Sequence, residues 1–301
     1  MAKRSRRRNK VNKPANYREG KLDASRPDSK PALIALLLVV ILIGSGLYLT
    51  SMVDTEETVT NPTYGVEAEL VTNDHSAEPG GETDFILLVK NTGSVTDTFT
   101  VSTKSNDGGF SISIESGYGT LMLGKDVRKP LIINVKTSAS AEGLDYAFME
   151  VTSGGDPTKK AEVKLNVNTD SNFGNLTEVG DTVDVHYAGI LASNAKLFDS
   201  SMEYVWDNYM YRRDGVTDSN RHIDTLEARH IGCVEANNPS ENCQGSKGMI
   251  DGFDSKMIGM YEGQTLAVRI PANQAYGEAG SSSSDLAGED LIFLIEMVNI
   301  N

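Results

Sequence analysis

One membrane-spanning helix, an all-β sandwich and an α+β domain are predicted, in that order, along the 301 residues. Three observations predict them. Residues 32–53 are uncharged and almost wholly apolar. Residues 62–168 alternate apolar and polar in short runs separated by turn residues. The last part mixes such runs with one helical repeat, Ile250, Phe253, Met257 and Met260.

The apolar run opens Ala32-Leu33-Ile34 and continues through Gly44 and Leu47 to Val53. As a helix it is about 33 Å long, enough to cross a hydrocarbon core. A cleaved signal peptide is the rival reading, but a long basic segment precedes the run and no clear Ala-x-Ala site follows it. Residues 1–30 hold eleven Lys/Arg and three Asp/Glu, whereas the remainder holds 17 and 39, so net charges of +8 and −22 flank the run. That asymmetry puts the tail 1–31 in the cytoplasm and everything after Val53 outside, on a single-pass anchor through the bilayer. The basic run Lys3–Lys10 has no interleaved aromatic residue, so attraction to anionic lipid explains it without a nucleic-acid partner.

Residues 54–61 are acidic and Thr-rich and end at Asn61-Pro62, a short linker. Six or seven strands are expected over 62–168, among them Phe85-Ile86-Leu87-Leu88-Val89, Phe99-Thr100-Val101-Ser102 and Leu131-Ile132-Ile133-Asn134-Val135. Glu78-Pro79-Gly80-Gly81 before a strand, with Lys90-Asn91-Thr92-Gly93-Ser94 after it, resembles the immunoglobulin-like repeats of microbial surface proteins. No catalytic constellation accompanies them. A spacer, or a binding module for a client or surface polymer, is the expectation. A second polar linker, 169–177, contains Asn175-Leu176-Thr177, which fits the N-glycosylation acceptor pattern.

From 178 to 301, Thr182–Leu191, Gln264–Pro271 and Leu291–Ile300 read as strands, with Leu266, Val268 and Ile270 on one face of the second. Between the first two, the helical repeat turns one face of a short helix to the sheet, and Met257 and Met260 read as ordinary core. Five motifs follow in order: Val185-His186-Tyr187-Ala188-Gly189, Phe198-Asp199-Ser200-Ser201, Met249-Ile250-Asp251-Gly252-Phe253, Ala275-Tyr276-Gly277 and the run Leu291–Met297. They supply aromatic rings without a nucleophile–base pair or a metal box. Such a cleft suits chemistry that makes and breaks no bond, for instance rotation about a prolyl amide, whose barrier is about 18–20 kcal/mol.

This ordered set resembles the FKBP-type peptidyl-prolyl cis-trans isomerases. The resemblance implies a curved antiparallel sheet wrapped around a short helix, with the cleft between them. It implies that Tyr187, Phe198, Ile250, Phe253, Tyr276 and Phe293 line a proline pocket. It further implies that the Ile250 N–H and Tyr276 hydroxyl hold substrate carbonyls, and that Asp199 orients polar groups at the wall. No cofactor is implied, and the partners would be proline-containing unfolded or exported polypeptides.

Three departures qualify the resemblance. Phe253 stands where the family usually has a Trp. The flap between Tyr276 and Leu291 carries Ser281-Ser282-Ser283-Ser284-Asp285-Leu286 where an apolar Ile-Pro pair is common. Asp199 and Phe253 are 54 positions apart, which implies an insertion near 203–247, close to the cleft rim, with Tyr204, Trp206, Tyr209 and Tyr211 in it. The insertion also holds His222, His230, Cys233 and Cys243, enough ligands for a tetrahedral zinc site. Their spacing is not a standard zinc box, and in an exported domain the two cysteines more simply form a structural disulfide. A membrane-anchored isomerase assisting exported proteins is thus expected, with a chaperone-like peptide-binding module and a surface adhesion protein as alternatives.

Overall fold

Fourteen strands, two short α-helices and the 3-10 turn Ala272–Gln274 make up the regular structure of the described part of the protein. The computed structural model describes residues 61–170, 173–218, 224–233 and 249–301. The predicted span 32–53, its basic flank, the linker 54–60, His222 and Cys243 lie outside the described residues. Among the described residues no helix is long and apolar enough to cross a membrane.

Nine strands come first: β1 (Val66–Leu70), β2 (Asp74–Ser76), β3 (Glu82–Asn91), β4 (Asp97–Asn106), β5 (Ser111–Ile114), β6 (Thr120–Leu123), β7 (Arg128–Lys136), β8 (Leu144–Ser153) and β9 (Lys160–Asn168). They form two sheets, ordered β1-β3-β7-β5 and β2-β9-β8-β4-β6. All pairings are antiparallel except β2 with β9. Phe85, Leu87 and Val89 of one sheet and Phe99, Met149 and Leu165 of the other share one core. The strands beyond the expected six or seven are short pieces such as β2, whose three residues Asp-His-Ser carry no apolar alternation.

The second part holds β10 (Val183–Leu191), β11 (Leu197–Ser200), β12 (Leu226–Ala228), β13 (Thr265–Ile270) and β14 (Leu291–Ile300), with helices α1 (Glu203–Asn208) and α2 (Asp251–Lys256). Its sheet runs β11-β10-β14-β13. β12 pairs with Val183–Val185 and β11 with Ala188–Ile190 of β10, so both are halves of one interrupted strand. The insertion is therefore not the single excursion 203–247: at Leu226 the chain returns to the sheet. Three residues are too few for strand alternation to stand out in sequence.

This sheet is buried on both faces. Val185, Leu191, Phe293, Ile295 and Met297 face α2, with Ile270 and the partly buried Leu266 and Val268 beside them. Met257 and Met260 are fully buried there. On the opposite face Ala188, Ile190, Ala267, Ile292 and Leu294 pack with Ile86 and Leu88 of β3. Asn61–Asn301 is accordingly one compact unit.

The insertion's aromatic residues join that second core, which corrects their expected position at the cleft rim. Trp206 is 1% exposed and packs there with Val205 and Tyr209. Tyr211 lies under the Arg128 guanidinium, 2.9 Å from ring centroid to Cζ. Tyr204 alone of the four is largely exposed. Their place in the insertion put them near the cleft in sequence but could not tell which neighbour they would meet.

A polar seam completes the junction. β13 is an edge strand, and unpaired edge amides need partners. The carboxylate of Asp84, 3% exposed, accepts the Ala267 N–H at 2.8 Å and the Asn134 side chain at 2.8 Å, with Lys256 Nζ 3.5 Å away. The Thr83 hydroxyl donates to the Thr265 carbonyl at 2.8 Å, and Gln264 donates to that of Glu82 at 2.7 Å. Arg269 makes a two-pronged pair with Glu115, at 2.6 and 2.8 Å. The segment read as a polar linker also ends inside the fold: the Thr177 hydroxyl is buried and donates to the Met257 carbonyl at 2.6 Å.

Trp206→Ala should destabilise the whole unit by about 3–5 kcal/mol, as expected for a fully buried large aromatic side chain. Equilibrium denaturation would check this, and all three sheets should unfold together. Loss of structure in residues 178–301 alone would contradict the shared core.

Candidate functional site

Seven residues named from the sequence motifs meet around one cavity of about 230 Å³. Tyr187, Phe198 and Asp199 come from β10 and β11; Ile250 and Phe253 from the start of α2; Tyr276 from the loop after β13; Phe293 from β14. Leu226 and Met249 also line it and were not singled out from the sequence. Leu226 sits in the three-residue β12, inside the expected insertion, and only its position next to a valine of β10 gives it away.

The aromatic walls interlock edge to face. Phe293 meets Phe253 at 5.0 Å between ring centroids and Phe198 at 5.5 Å, and Tyr187 meets Phe253 at 6.1 Å. Such pairs align the positive edge of one ring with the negative face of the next, which fixes ring orientation beyond simple burial. Phe253 is 2% exposed and forms the floor. The ring closes the floor without a hydrogen-bonding group that would need a partner.

Backbone geometry places the rest. Gly189 on β10 leaves no room for a side chain: a Cβ there would lie 2.5 Å from Phe198 Cζ and 2.9 Å from Phe293 Cε1. Ile250 is the extended residue before α2, and its carbonyl accepts the Phe253 and Asp254 amides, each at 3.0 Å. Its own N–H has no hydrogen-bond partner among the described residues. Gly277 takes φ +91°, a left-handed conformation that lets its amide turn back to the Ala272 carbonyl at 2.8 Å and sets Tyr276 over the cavity.

Polar groups are few. The Tyr187 hydroxyl donates to Asp199 at 2.7 Å. Burial, then that bond, push the Tyr187 hydroxyl well above the usual tyrosine range, and burial followed by the nearby Asp199 charge raises Tyr276. Both phenols keep their protons at neutral pH and remain donors. The serine-rich flap is organised by its own hydroxyls: Ser282 donates to the Tyr276 carbonyl at 2.8 Å and Ser284 accepts the Leu286 amide at 3.2 Å. Leu286 is partly buried against the cavity-side core.

Cys233 is buried at the foot of the insertion. His230, two residues beyond β12, has φ +54° and a buried Nδ1. Among the described residues no group of His, Cys, Asp and Glu is arranged to hold a metal ion.

Part of the site's sequence, from Leu226 onward, matches a known family. The family model for FKBP-type peptidyl-prolyl cis-trans isomerases matches residues 226–298, from β12 almost to the end of β14. Peptidyl-prolyl cis-trans isomerase FKBP15-2 of Arabidopsis thaliana is 31% identical over 122 residues, covering 40% of this chain and 55% of its own length. FK506-binding protein of Streptomyces anulatus is 27% identical over 128 residues, covering 42% and 77%. FK506-binding protein 2 of Dictyostelium discoideum is 25% identical over 155 residues, covering 52% and 91%. The C-terminal part of the chain thus carries an FKBP-type isomerase domain.

Gly189→Ala should destabilise the protein by about 1–3 kcal/mol through overpacking, because ring carbons of two aromatic walls block the new methyl. Denaturant titration measures the cost, and the Phe198 and Phe293 ring resonances should shift. Unchanged stability and unchanged shifts would mean that the walls are not held as described.

Proposed function

We propose that the C-terminal domain catalyses cis/trans rotation of prolyl bonds in exported polypeptides by stabilising the twisted amide without covalent chemistry. The observation that carries this reading is the convergence of Tyr187, Phe198, Asp199, Ile250, Phe253, Tyr276 and Phe293 on one aromatic cavity. Twisting the C–N bond ends its resonance, so the carbonyl oxygen loses charge. A dry aromatic cavity disfavours the polar planar amide more than the twisted one, and that difference lowers the barrier. The prolyl ring would fill the space above Phe253. The Ile250 N–H and the Tyr276 hydroxyl, both donors, would hold the carbonyls on either side. Asp199, fixed by Tyr187, would face the reacting carbonyl where charge is changing.

A peptide-binding module with slow turnover is the second reading, favoured by the hydroxyl-rich flap. One assay separates them: exchange spectroscopy or protease-coupled kinetics with the full chain on Xaa-Pro peptides. Catalysed exchange is expected. Tyr276→Phe, which removes one donor, should lower turnover roughly five- to tenfold. Phe253→Ala should lower turnover and also cost about 3–5 kcal/mol of stability. Binding at only the uncatalysed exchange rate would leave the chaperone-like reading.

The chain around this domain is proposed to be its anchor and mount. Residues 32–53 would span the membrane with the basic tail inside, and β1–β9 would be an immunoglobulin-like domain outside. A Cys233–Cys243 disulfide would staple the insertion, contributing about 2–3 kcal/mol. The uncharged run and its +8 flank support the topology. Protease added to intact cells should digest residues 61–301 and spare the tail, and mass after alkylation should show no free thiol. Digestion of the tail alone, or two alkylated cysteines, would reverse these assignments.

A further inference from the structure

A second cavity, of about 320 Å³, adjoins the first. It is lined by Phe198, Asp199, Arg213, Asp214, Val216 and Asp285. Phe198 and Asp199 belong to both cavities, so a chain leaving the prolyl pocket past them enters the second directly.

The insertion builds the far wall of this groove. Leu197 of β11 donates its amide to the Tyr211 carbonyl at 2.8 Å and accepts that of Arg213 at 2.8 Å, a parallel bridge that fixes the backbone. The Val216 amide then closes a turn on the Arg213 carbonyl at 3.1 Å, with Gly215 at φ +88°. Val216 packs on the core that holds Trp206 and Tyr209, so the wall rests on the interface between the two halves of the molecule. Arg213 Nη2 reaches across to the flap, 3.2 Å from the Asp285 carbonyl and 3.7 Å from its carboxylate. Asp214 is 98% exposed on its side chain and pairs only loosely with Lys196, at 3.6 Å.

We propose that this groove is a second substrate subsite, made by the insertion, which receives the residues flanking the proline on one side and favours a lysine or arginine among them. The reading rests on the isomerase function proposed above. Phe198 and Val216 offer apolar surface to the long stem of such a side chain, while Asp199, Asp214 and Asp285 outnumber the cations Arg213 and Lys196 and leave a net negative charge for its cationic head. Long basic side chains bind in that divided manner, stem on carbon and head on carboxylate, and an arginine can also stack on the Phe198 ring. The groove contributes recognition and leaves the rotation itself to the aromatic cavity.

The test uses the full chain and three prolyl peptides that differ only in flanking residues, which are lysine, neutral or glutamate, placed before or after the proline. Titration gives Kd and exchange spectroscopy gives turnover in the same samples. Lysine is expected to bind about two- to fivefold tighter than glutamate, on one side of the proline only. The difference should fade near about 1 M salt, where the screening length falls to about 3 Å. Asp214→Lys should abolish or invert the preference, and Glu142→Lys, an exposed reversal on the sandwich, should leave it. Equal affinities, or equal loss in both variants, would overturn the subsite and assign any preference to overall charge. Exchange without discrimination sinks the subsite alone; discrimination in binding without exchange sinks the isomerase reading alone; neither binding nor exchange sinks both.

Discussion

The structure depends on a single sheet that is buried on both faces. Along β14, Leu291, Phe293, Ile295 and Met297 point to α2 and the cavity, while Ile292 and Leu294 point to the nine-stranded part. β10 divides in the same way, with Val185 on one side and Ala188 and Ile190 on the other. An antiparallel sheet commonly leaves one face to water. Here the second face would be an apolar liability in isolation, and β3 covers it. The edge strand β13 meets the same neighbour: Thr83 and Asp84 of β3 bond the Thr265 carbonyl and the Ala267 amide, and Glu115, just after β5, pairs with the Arg269 side chain. The first nine strands therefore form part of the support of the cavity and are more than a spacer.

That support accounts for the character of the site. The aromatic walls sit on strands that cannot shift without disturbing a second core, so the rings hold their edge-to-face geometry. The polar groups are divided: the Tyr187 hydroxyl and Asp199 sit on β10 and β11, whereas the Ile250 amide lies at a helix start and Tyr276 before a left-handed glycine. An apolar wall facing a small number of donors suits a reaction in which the substrate changes shape but not bonding. The insertion adds to both halves at once. Its aromatic residues lock the two-sheet junction, and its Arg213–Val216 turn extends the rim of the cleft.

The cavity was legible in the sequence because its residues come in short motifs whose order restricts the possibilities, and the strands at 183–191, 265–270 and 291–300 nearly match their expected bounds. The junction was not legible. Ile86, Leu88, Ile292 and Leu294 look like core residues whichever core they join, and none of them alone says there are two. The available signal was unbroken apolarity: Phe85–Val89 and Leu291–Ile295 lack the alternation of a half-exposed strand, the mark of strands covered on both sides. Trp206 and Tyr209 resemble the rim of an aromatic cleft as much as a docking face, and only the fold decides between them. β12 and the cavity residue Leu226 were hidden by brevity.

The shared core makes the cavity sheet and the strands behind it one cooperative structure. Native-state hydrogen exchange on the full chain tests this directly, because it reads the opening free energy strand by strand. The buried amides of β14 and of β3 should exchange through the same opening, with the same free energy and the same dependence on denaturant. If β14 opened at a clearly lower free energy while β3 stayed protected, the two halves would be independent domains in contact, and the account would be wrong.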